Sequence, residues 1–256
     1  MSKKDERIRK LVDTLQQRQG MTIRELSVLF DVSEMTIRRD LELLKQDNLI
    51  LDIPGAAIYN TNCVNSEHYS IKAASDTRAA EKERIGQKAA SLIEENDCVI
   101  IDNGTTTEWM AACISPAVSA TILTSNLNIV NELATKPDIK IICGGGYYHA
   151  DTGLFESPES ISLIQKSRAT KVFCSAAGIH DAMGVTCMNS YEVATKRAIM
   201  ASGAKKILLA DSSKFGVVKS CYVTNLSSFD LIISDNELSE EWRNIITENH
   251  VALITV

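Results

Sequence analysis

The sequence predicts the α/β fold class, a small winged helix-turn-helix part followed by a larger, mainly parallel α/β part. Three observations predict it. Apolar residues recur at helical spacing over the first fifty positions, whereas from residue 98 onward short β-rich apolar runs alternate with helical stretches. Between them lies a polar stretch, Asn60-Thr-Asn-Cys-Val-Asn-Ser-Glu-His68, as expected of a linker.

In the first part, Glu6 to Gln17 places Ile8, Leu11 and Leu15 on one stripe and predicts the opening helix. Thr22-Ile-Arg-Glu25 has the form of a capping box, in which a threonine and a glutamate satisfy each other's free backbone N–H groups. It predicts a short helix through Phe30, with Ile23, Leu26 and Phe30 inward. Asp31-Val32 is then a tight turn, and Ser33 is placed to cap the next helix. Within Ser33-Glu-Met-Thr-Ile-Arg-Arg-Asp-Leu41, Ile37, Leu41 and Leu44 share a stripe, while Met35, Thr36 and Arg39 lie opposite. Leu49 to Ile58 fits a hairpin interrupted at Pro54-Gly55. These parts suit a winged motif whose third helix enters a DNA groove. The same periodicity also fits an ordinary small bundle with Arg38 and Arg39 on a solvated face.

Charge discriminates weakly. Residues 1–50 carry 10 Lys and Arg against 9 Asp and Glu, and the remainder carries 17 against 24. A slightly basic start on an acidic chain predicts modest non-specific DNA affinity, so dimerisation is expected to add the rest. At 256 residues, 45% of them hydrophobic, the chain has room for one small and one medium domain. No apolar run approaches the ~18 residues of a membrane span, and the charged start lacks a signal-peptide core, so the expected location is cytoplasmic, with no membrane partner. The cysteines at 63, 98, 113, 143, 174, 187 and 221 are odd in number and contain no C-x-x-C pair. Neither a disulfide framework nor a zinc site is expected; Cys98, Cys143 and Cys174 read as buried thiols. The dispersed histidines suggest no metal site, and no cofactor is expected.

In the second part, the apolar runs Cys98–Ile101, Thr121–Thr124, Ile139–Cys143, Lys171–Cys174, Ile207–Ala210, Leu231–Ile233 and Val251–Val256 predict strands of a mainly parallel sheet covered on both faces. Ligands in such folds collect at the carboxyl ends of strands. Those ends are polar or glycine-bearing here: Asp102-Asn-Gly-Thr-Thr-Thr107, Ser125-Asn126, Gly144-Gly-Gly146 with Gly145 at its centre, Ser175-Ala-Ala-Gly178, Asp211-Ser-Ser-Lys214 and Ser234-Asp235.

Gly104, Thr105, Thr106 and Thr107 precede a helix expected to begin near Glu108. Free N–H groups, the helix dipole and hydroxyls make this turn a candidate phosphate cradle, although Gly and Thr also simply turn the chain and cap helices. Gly144-Gly-Gly146 lacks the G-x-G-x-x-G pattern of a dinucleotide site. Lys214 can reach an anion in the crevice or be an exposed loop lysine. Glu192 competes with a capping role in Asn189-Ser-Tyr-Glu192, and Lys196 and Arg197 read as surface residues. No nucleophile-base arrangement stands out.

The run Ser33 to Leu41 matches, without a mismatch, the Ser-x-x-Thr-Ile-Arg-Arg-Asp-Leu signature of the DeoR family of bacterial transcriptional regulators, which residues 6–58 resemble. The resemblance implies a winged helix-turn-helix in which Thr36, Arg38 and Arg39 approach DNA. Arg39 is expected to read a base and Arg38 to hold a phosphate, with Met35 against a thymine methyl; Thr22 and Ser33, at the helix starts, complete the expected contact set. The wing departs from the family pattern. It reads Leu51-Asp52-Ile53-Pro54-Gly55 where many members carry a basic residue and a double glycine, which puts wing contacts in doubt.

The second part resembles the family's sensor domain through Asp102-Asn-Gly-Thr-Thr, Cys143-Gly-Gly-Gly, Ser175-Ala-Ala-Gly178, Gly184 to Glu192 and Asp211-Ser-Ser-Lys-Phe-Gly216. That resemblance implies a phosphorylated sugar effector that relieves repression, with deoxyribose 5-phosphate a candidate, since Cys143 to Ala150 and Ser175 to His180 are closest to members that sense it. The expected ligand set is Asp102, Gly104, Thr105, Thr106, Thr107, Asn126, Gly145, Glu192 and Lys214. The sensor domain also resembles ribose-5-phosphate isomerase, which makes an isomerase-like enzyme the competing expectation. In the isomerase the loop matching Ser175 to Gly178 carries two catalytic aspartates, here Ser175 and Gly178, so the chain is expected not to be an enzyme. The expected organisation is a DNA-binding domain at 1–58, a linker at 59–77 and a sensor domain at 78–256. Its partners are double-stranded operator DNA, the sugar phosphate and further copies of the chain in a homo-oligomer, a dimer or higher.

Overall fold

The computed structural model describes residues 3–18, 20–46, 50–53, 55–59 and 76–256. Residues 60–75 of the expected linker and Pro54 of the expected hairpin turn lie outside the described residues, as do the side chains of residues 51–53.

Helices α1 (Lys3–Arg18), α2 (Ile23–Leu29) and α3 (Glu34–Gln46) form because their apolar residues return every three to four positions. Leu11, Leu15, Ile23, Leu26, Ile37, Leu41 and Leu44 meet in one buried cluster. The expected capping box opens α2: Thr22 Oγ1 accepts from Glu25 N at 3.1 Å, and a Glu25 carboxylate oxygen accepts from Thr22 N at 2.7 Å. Asp31 turns the chain with φ 49°, a left-handed value that aspartate tolerates better than most residues. Ser33 then caps α3, its hydroxyl accepting from Thr36 N at 3.2 Å. The hairpin is β2 (Ile50–Ile53) against β3 (Ala56–Tyr59), antiparallel. Sequence reading missed β1 (Gly20–Thr22), which adds to the other edge of β3; three residues are too few to show a period.

The larger part is a seven-stranded parallel sheet. Its strands are β4 (Cys98–Ile101), β5 (Ala120–Thr124), β6 (Ile139–Cys143), β9 (Ala169–Ser175), β12 (Gly203–Leu209), β14 (Leu231–Ser234) and β15 (Ala252–Thr255). They lie in the order β15-β14-β12-β9-β4-β5-β6. Alternate strand residues feed opposite faces, as the pleat requires. Val99, Ile101, Phe173, Ile207, Leu209, Leu231 and Ile233 pack with α4 (Ala79–Ala90), α5 (Thr105–Cys113) and α6 (Leu127–Leu133). Ile100, Val172, Cys174, Leu208 and Ile232 pack with α7 (Pro158–Lys166), α8 (Ser190–Ser202) and α9 (Glu240–Glu248). Helices on both faces explain why the strands read as continuous apolar runs. Helices α4 and α5 approach so closely that a Cβ on Gly86 would sit 2.7 Å from Met110 N.

From β4 the chain progresses through β5 and β6 toward one edge, and from β9 through β12, β14 and β15 toward the other. The strand order therefore switches between β4 and β9, and in open α/β sheets a crevice opens outside the strand ends at such a point. The loops after β4, β9 and β12 border it.

Three expectations need correction. Helix α5 begins at Thr105 rather than near Glu108, because Gly104 itself is the N-cap, so the three threonines form the first helical turn. Cys143 is exposed rather than buried, since β6 is an edge strand; Cys98 is half-buried and Cys174 is buried as expected. Antiparallel pieces were also missed: the hairpin β7 (Tyr147–His149) with β8 (Leu154–Glu156), and the small sheet of β10 (Gly178–His180), β11 (Gly184–Cys187) and β13 (Cys221–Thr224).

Candidate functional sites

The crevice at the switch point holds a cavity of about 220 Å³ lined by loop and strand-end residues, the first turn of α5 and α8: Asn103, Gly104, Thr105, Thr106, Ser175, Ala176, Ala177, Cys187, Met188, Glu192, Lys196, Lys214 and Lys219. Gly104 is required where it stands. Its φ is 153°, and a Cβ there would lie 2.6 Å from Ser175 Cβ. The first-turn N–H groups of α5 have no intrahelical acceptors, so the helix presents donors and the positive end of its dipole at the cavity wall.

The floor is polar and held rigidly. Lys196 on α8 is buried and places Nζ 2.5 Å from Asp102 Oδ2 and 3.8 Å from a Glu192 carboxylate oxygen. Burial disfavours the ammonium, but the two carboxylates outweigh it and hold its pKa above the ordinary lysine value. Glu192 accepts from Asn103 Nδ2 at 2.9 Å and, through its other oxygen, from Asn189 N at 3.3 Å and Nδ2 at 3.0 Å. It therefore serves the capping box and lines the cavity at once. Ser175 ties the loop after β9 to the loop after β4: its hydroxyl donates to Asn103 O at 2.5 Å and its N–H to Asp102 Oδ2 at 3.1 Å.

Two lysines complete the wall, Lys214 from a turn of 3-10 helix (Ser212–Lys214) and Lys219 just before β13. Burial and the positive charge of Lys214 both push the Lys219 pKa down. An anion placed near both relieves that repulsion.

Of the residues expected to bind ligand, Gly104, Thr105, Thr106, Glu192 and Lys214 are brought together around this cavity. Asp102 stands behind it, fully buried against Lys196 and Ser175. Thr107 is also buried, with its hydroxyl donated to Gly104 O at 2.7 Å. Asn126 caps α6, accepting from Asn128 N and Ile129 N. Gly145 has open space around it and lies outside the cavity lining. Lys196 is the main correction: read as a surface residue, it is the buried counterion of the floor. One signal was present in the sequence, since Glu192 and Lys196 are four residues apart and share a helical face. Lys219 and Ser175 carried no comparable pattern. Among the described residues no group of His, Cys, Asp or Glu has the arrangement of a metal site, and no helix is long and apolar enough to cross a membrane.

On α3, Met35, Arg38 and Arg39 are exposed, while Ile37, Leu41 and Leu44 are buried. Arg38 lies 3.8 Å from Glu34, a loose pair one turn apart that leaves the guanidinium available to other partners. Thr36 is half-buried, its hydroxyl 2.9 Å from that of Ser33. Thr22 is half-buried and Ser33 exposed, each at a helix start. Asp40, inside the same motif, turns the other way and is buried, joined to Arg7 of α1 at 2.6 and 3.2 Å. The motif therefore combines an outward face bearing Met35, Arg38 and Arg39 with an inward structural anchor.

Comparison with known proteins follows the same division. Residues 7–62 match the DeoR-like helix-turn-helix domain and residues 77–236 the DeoR C terminal sensor domain. The deoxyribose operon repressor of Escherichia coli strain K12 is 30% identical over 234 residues, 91% of each chain. The glycerol-3-phosphate regulon repressor of the same strain is 31% identical over 251 residues, 98% of each chain. Among solved structures, ribose 5 phosphate isomerase A from Neisseria gonorrhoeae aligns with 54% of this chain and 53% of its own, at 16% identity and a TM-score of 0.39.

Proposed function

From the premise that this chain belongs to the DeoR family of DNA-binding transcriptional regulators, we propose that it represses a sugar or nucleoside catabolic operon and leaves its operator when a phosphorylated sugar occupies the crevice. One observation carries the reading: a helix N-terminus and two lysines face a single cavity whose floor is a hydrogen-bonded polar network. The N-terminal turn of α5, Lys214 and Lys219 supply donors and positive charge for a phosphate. Asn103, whose Oδ1 has no partner among the described residues, supplies an acceptor for a sugar hydroxyl. Asp102 acts from behind by fixing Lys196, which holds Glu192. The cavity volume is below the roughly 300–1,000 Å³ of pockets for drug-sized ligands, which favours a compact metabolite over a dinucleotide.

Operator recognition falls to α3, with Arg39 toward a base edge, Arg38 toward a phosphate and Met35 toward a thymine methyl. Thr22, Ser33 and Thr36 support the helix starts nearest the backbone. Two copies of the chain present two such helices to the half-sites of a palindromic operator in the cytoplasm. Release requires that the sugar phosphate bind the DNA-free arrangement better than the DNA-bound one, since only differential affinity shifts such an equilibrium.

Thermal unfolding of the full chain with a panel of pentose and hexose phosphates and glycerol 3-phosphate tests the site. A ligand that binds only the native state at 100 times its Kd adds about 2.7 kcal/mol of stability. Deoxyribose 5-phosphate is the first candidate. A double variant, Thr106→Ala with Lys214→Ala, is expected to lose the shift and the response of operator binding; unchanged induction would place the effector elsewhere. The isomerase reading is tested by incubation with ribose 5-phosphate, where the appearance of ketose would establish it.

A further inference from the structure

Two segments that line the crevice also touch the DNA-binding domain. The first follows β9: Ala176 and Ala177 line the cavity, and the chain runs directly into β10, whose His180 places Nε2 3.5 Å from a Glu25 carboxylate oxygen at the start of α2. The second is the loop from Lys214 to Lys219, which has a cavity-lining lysine at each end. Between those lysines, Val218 is buried, and a Cβ built on Gly20 of β1 would lie 3.1 Å from Val218 Cβ.

The two segments are hydrogen-bonded to each other. Gly216 N and Val217 N both donate to Ile179 O, at 2.8 and 3.2 Å. Thr186 Oγ1 accepts from Lys219 N at 2.9 Å and donates to Gly178 O at 3.0 Å. Gly178 itself must be glycine at this junction, because a Cβ would meet Val217 O at 2.6 Å. A displacement of Lys214 or Lys219 therefore cannot be absorbed inside the loop without moving Val218 or straining these bonds.

We propose that the loop 215–218, braced on β10, is the seat on which the DNA-binding domain rests, and that a phosphate gathered between Lys214 and Lys219 withdraws Val218 from Gly20. In the seated arrangement Met35, Arg38 and Arg39 remain exposed, so the seat leaves these side chains of α3 uncovered. Drawing both lysines toward one anion tightens the loop and unseats β1 and α2. This rests on the crevice being the phosphosugar site. It adds the route by which occupancy reaches the DNA-binding domain.

Hydrogen exchange of the full chain, followed by mass spectrometry with inorganic phosphate and with deoxyribose 5-phosphate as probes, tests it. In the unsubstituted protein either probe is expected to slow exchange at 103–107 and to speed it at 20–25 by about tenfold, the signature of a local contact released. Gly20→Ala pushes against Val218 from one side and Val218→Ala removes the contact from the other. Both are expected to give the fast exchange at 20–25 without a probe, and to lose its further change on addition. Using both sides separates the seat from any disturbance that Gly20→Ala causes at Ile58, 3.3 Å from the built Cβ. If 103–107 responds while 20–25 stays unchanged or slows, the crevice reading stands and the seat is overturned. If neither segment responds to either probe, the crevice reading falls and the seat with it.

Discussion

Asp40 of the recognition helix and Arg7 of α1 form a paired contact, with Nε to Oδ2 at 2.6 Å and a second guanidinium nitrogen to Oδ1 at 3.2 Å. The aspartate side chain is 2% exposed and the arginine 22%. The neighbouring arginines of the motif face outward, so the pair turns a DNA-binding signature into a fixed orientation of α3 on α1.

Removing Asp40 leaves the partly buried charge of Arg7 without this partner. Breaking a fully buried pair costs about 3–5 kcal/mol, and the partial exposure of Arg7 reduces that to roughly 1–3 kcal/mol. Asp40→Ala is therefore expected to lower the urea midpoint of the DNA-binding domain and to weaken operator binding without touching a DNA-facing side chain. A midpoint equal to that of the unsubstituted chain would remove the pair from the account of stability.

The proposed operator recognition assigns base reading to Arg39 and phosphate contact to Arg38, both exposed on α3. Arg39→Ala is expected to cost about 1–3 kcal/mol of operator affinity and to relax sequence preference, while sugar phosphate binding is retained. Arg38→Ala is expected to weaken binding to all sequences alike and to reduce the salt slope by about 1. Loss of ligand binding on Arg39→Ala would contradict the division between reading helix and crevice.

Lys196 sets one positive charge against two carboxylates beneath the crevice, Asp102 at 2.5 Å and Glu192 at 3.8 Å. Lys196→Met leaves both charges buried and is expected to destabilise the sensor domain by about 3–5 kcal/mol, with partial recovery in Lys196→Met combined with Asp102→Asn. Urea unfolding of the three chains reads the difference. A single variant as stable as its parent would show that the network does not depend on the ammonium.

Glu108 supplies the pH dependence. It lies beside Asn128, whose amide donates to it at 2.8 Å, and near Glu132. Burial above all, with Glu132 adding to it against the Asn128 bond, pushes its pKa up to about 7. The folded state therefore holds the proton more tightly than the unfolded chain, in which a glutamate titrates near ~4.3. This contribution to stability is complete below the unfolded value and is lost as pH rises through about 7. Glu108→Gln removes the titration. It is expected to match the parent near pH ~4 and to exceed it by roughly 1–3 kcal/mol above neutrality, a figure reduced for partial exposure. Thermal unfolding across that pH range measures it, and parallel curves for the two chains would refute it.

By itself the sequence determined whatever is encoded within one element. The helices of the first domain, the capping box at Thr22, the cap at Ser33 and the parallel strands were legible because periodicity and cap chemistry act over a few residues. The turn at Gly104 was legible for the same reason, although its helix starts three residues earlier than read. Tertiary structure alone decided which strand ends meet. Strand order placed the loops after β4, β9 and β12 together and left Asn126 and Gly145 outside the cavity lining. It buried Lys196 94 residues away from Asp102 in sequence, exposed Cys143 on an edge strand, and set Val218 against Gly20. Those outcomes depend on long-range packing, in which a lysine becomes a counterion or a valine a seat only through the residues that the fold brings to it. A local pattern such as the four-residue spacing of Glu192 and Lys196 allows a pairing but does not fix its burial.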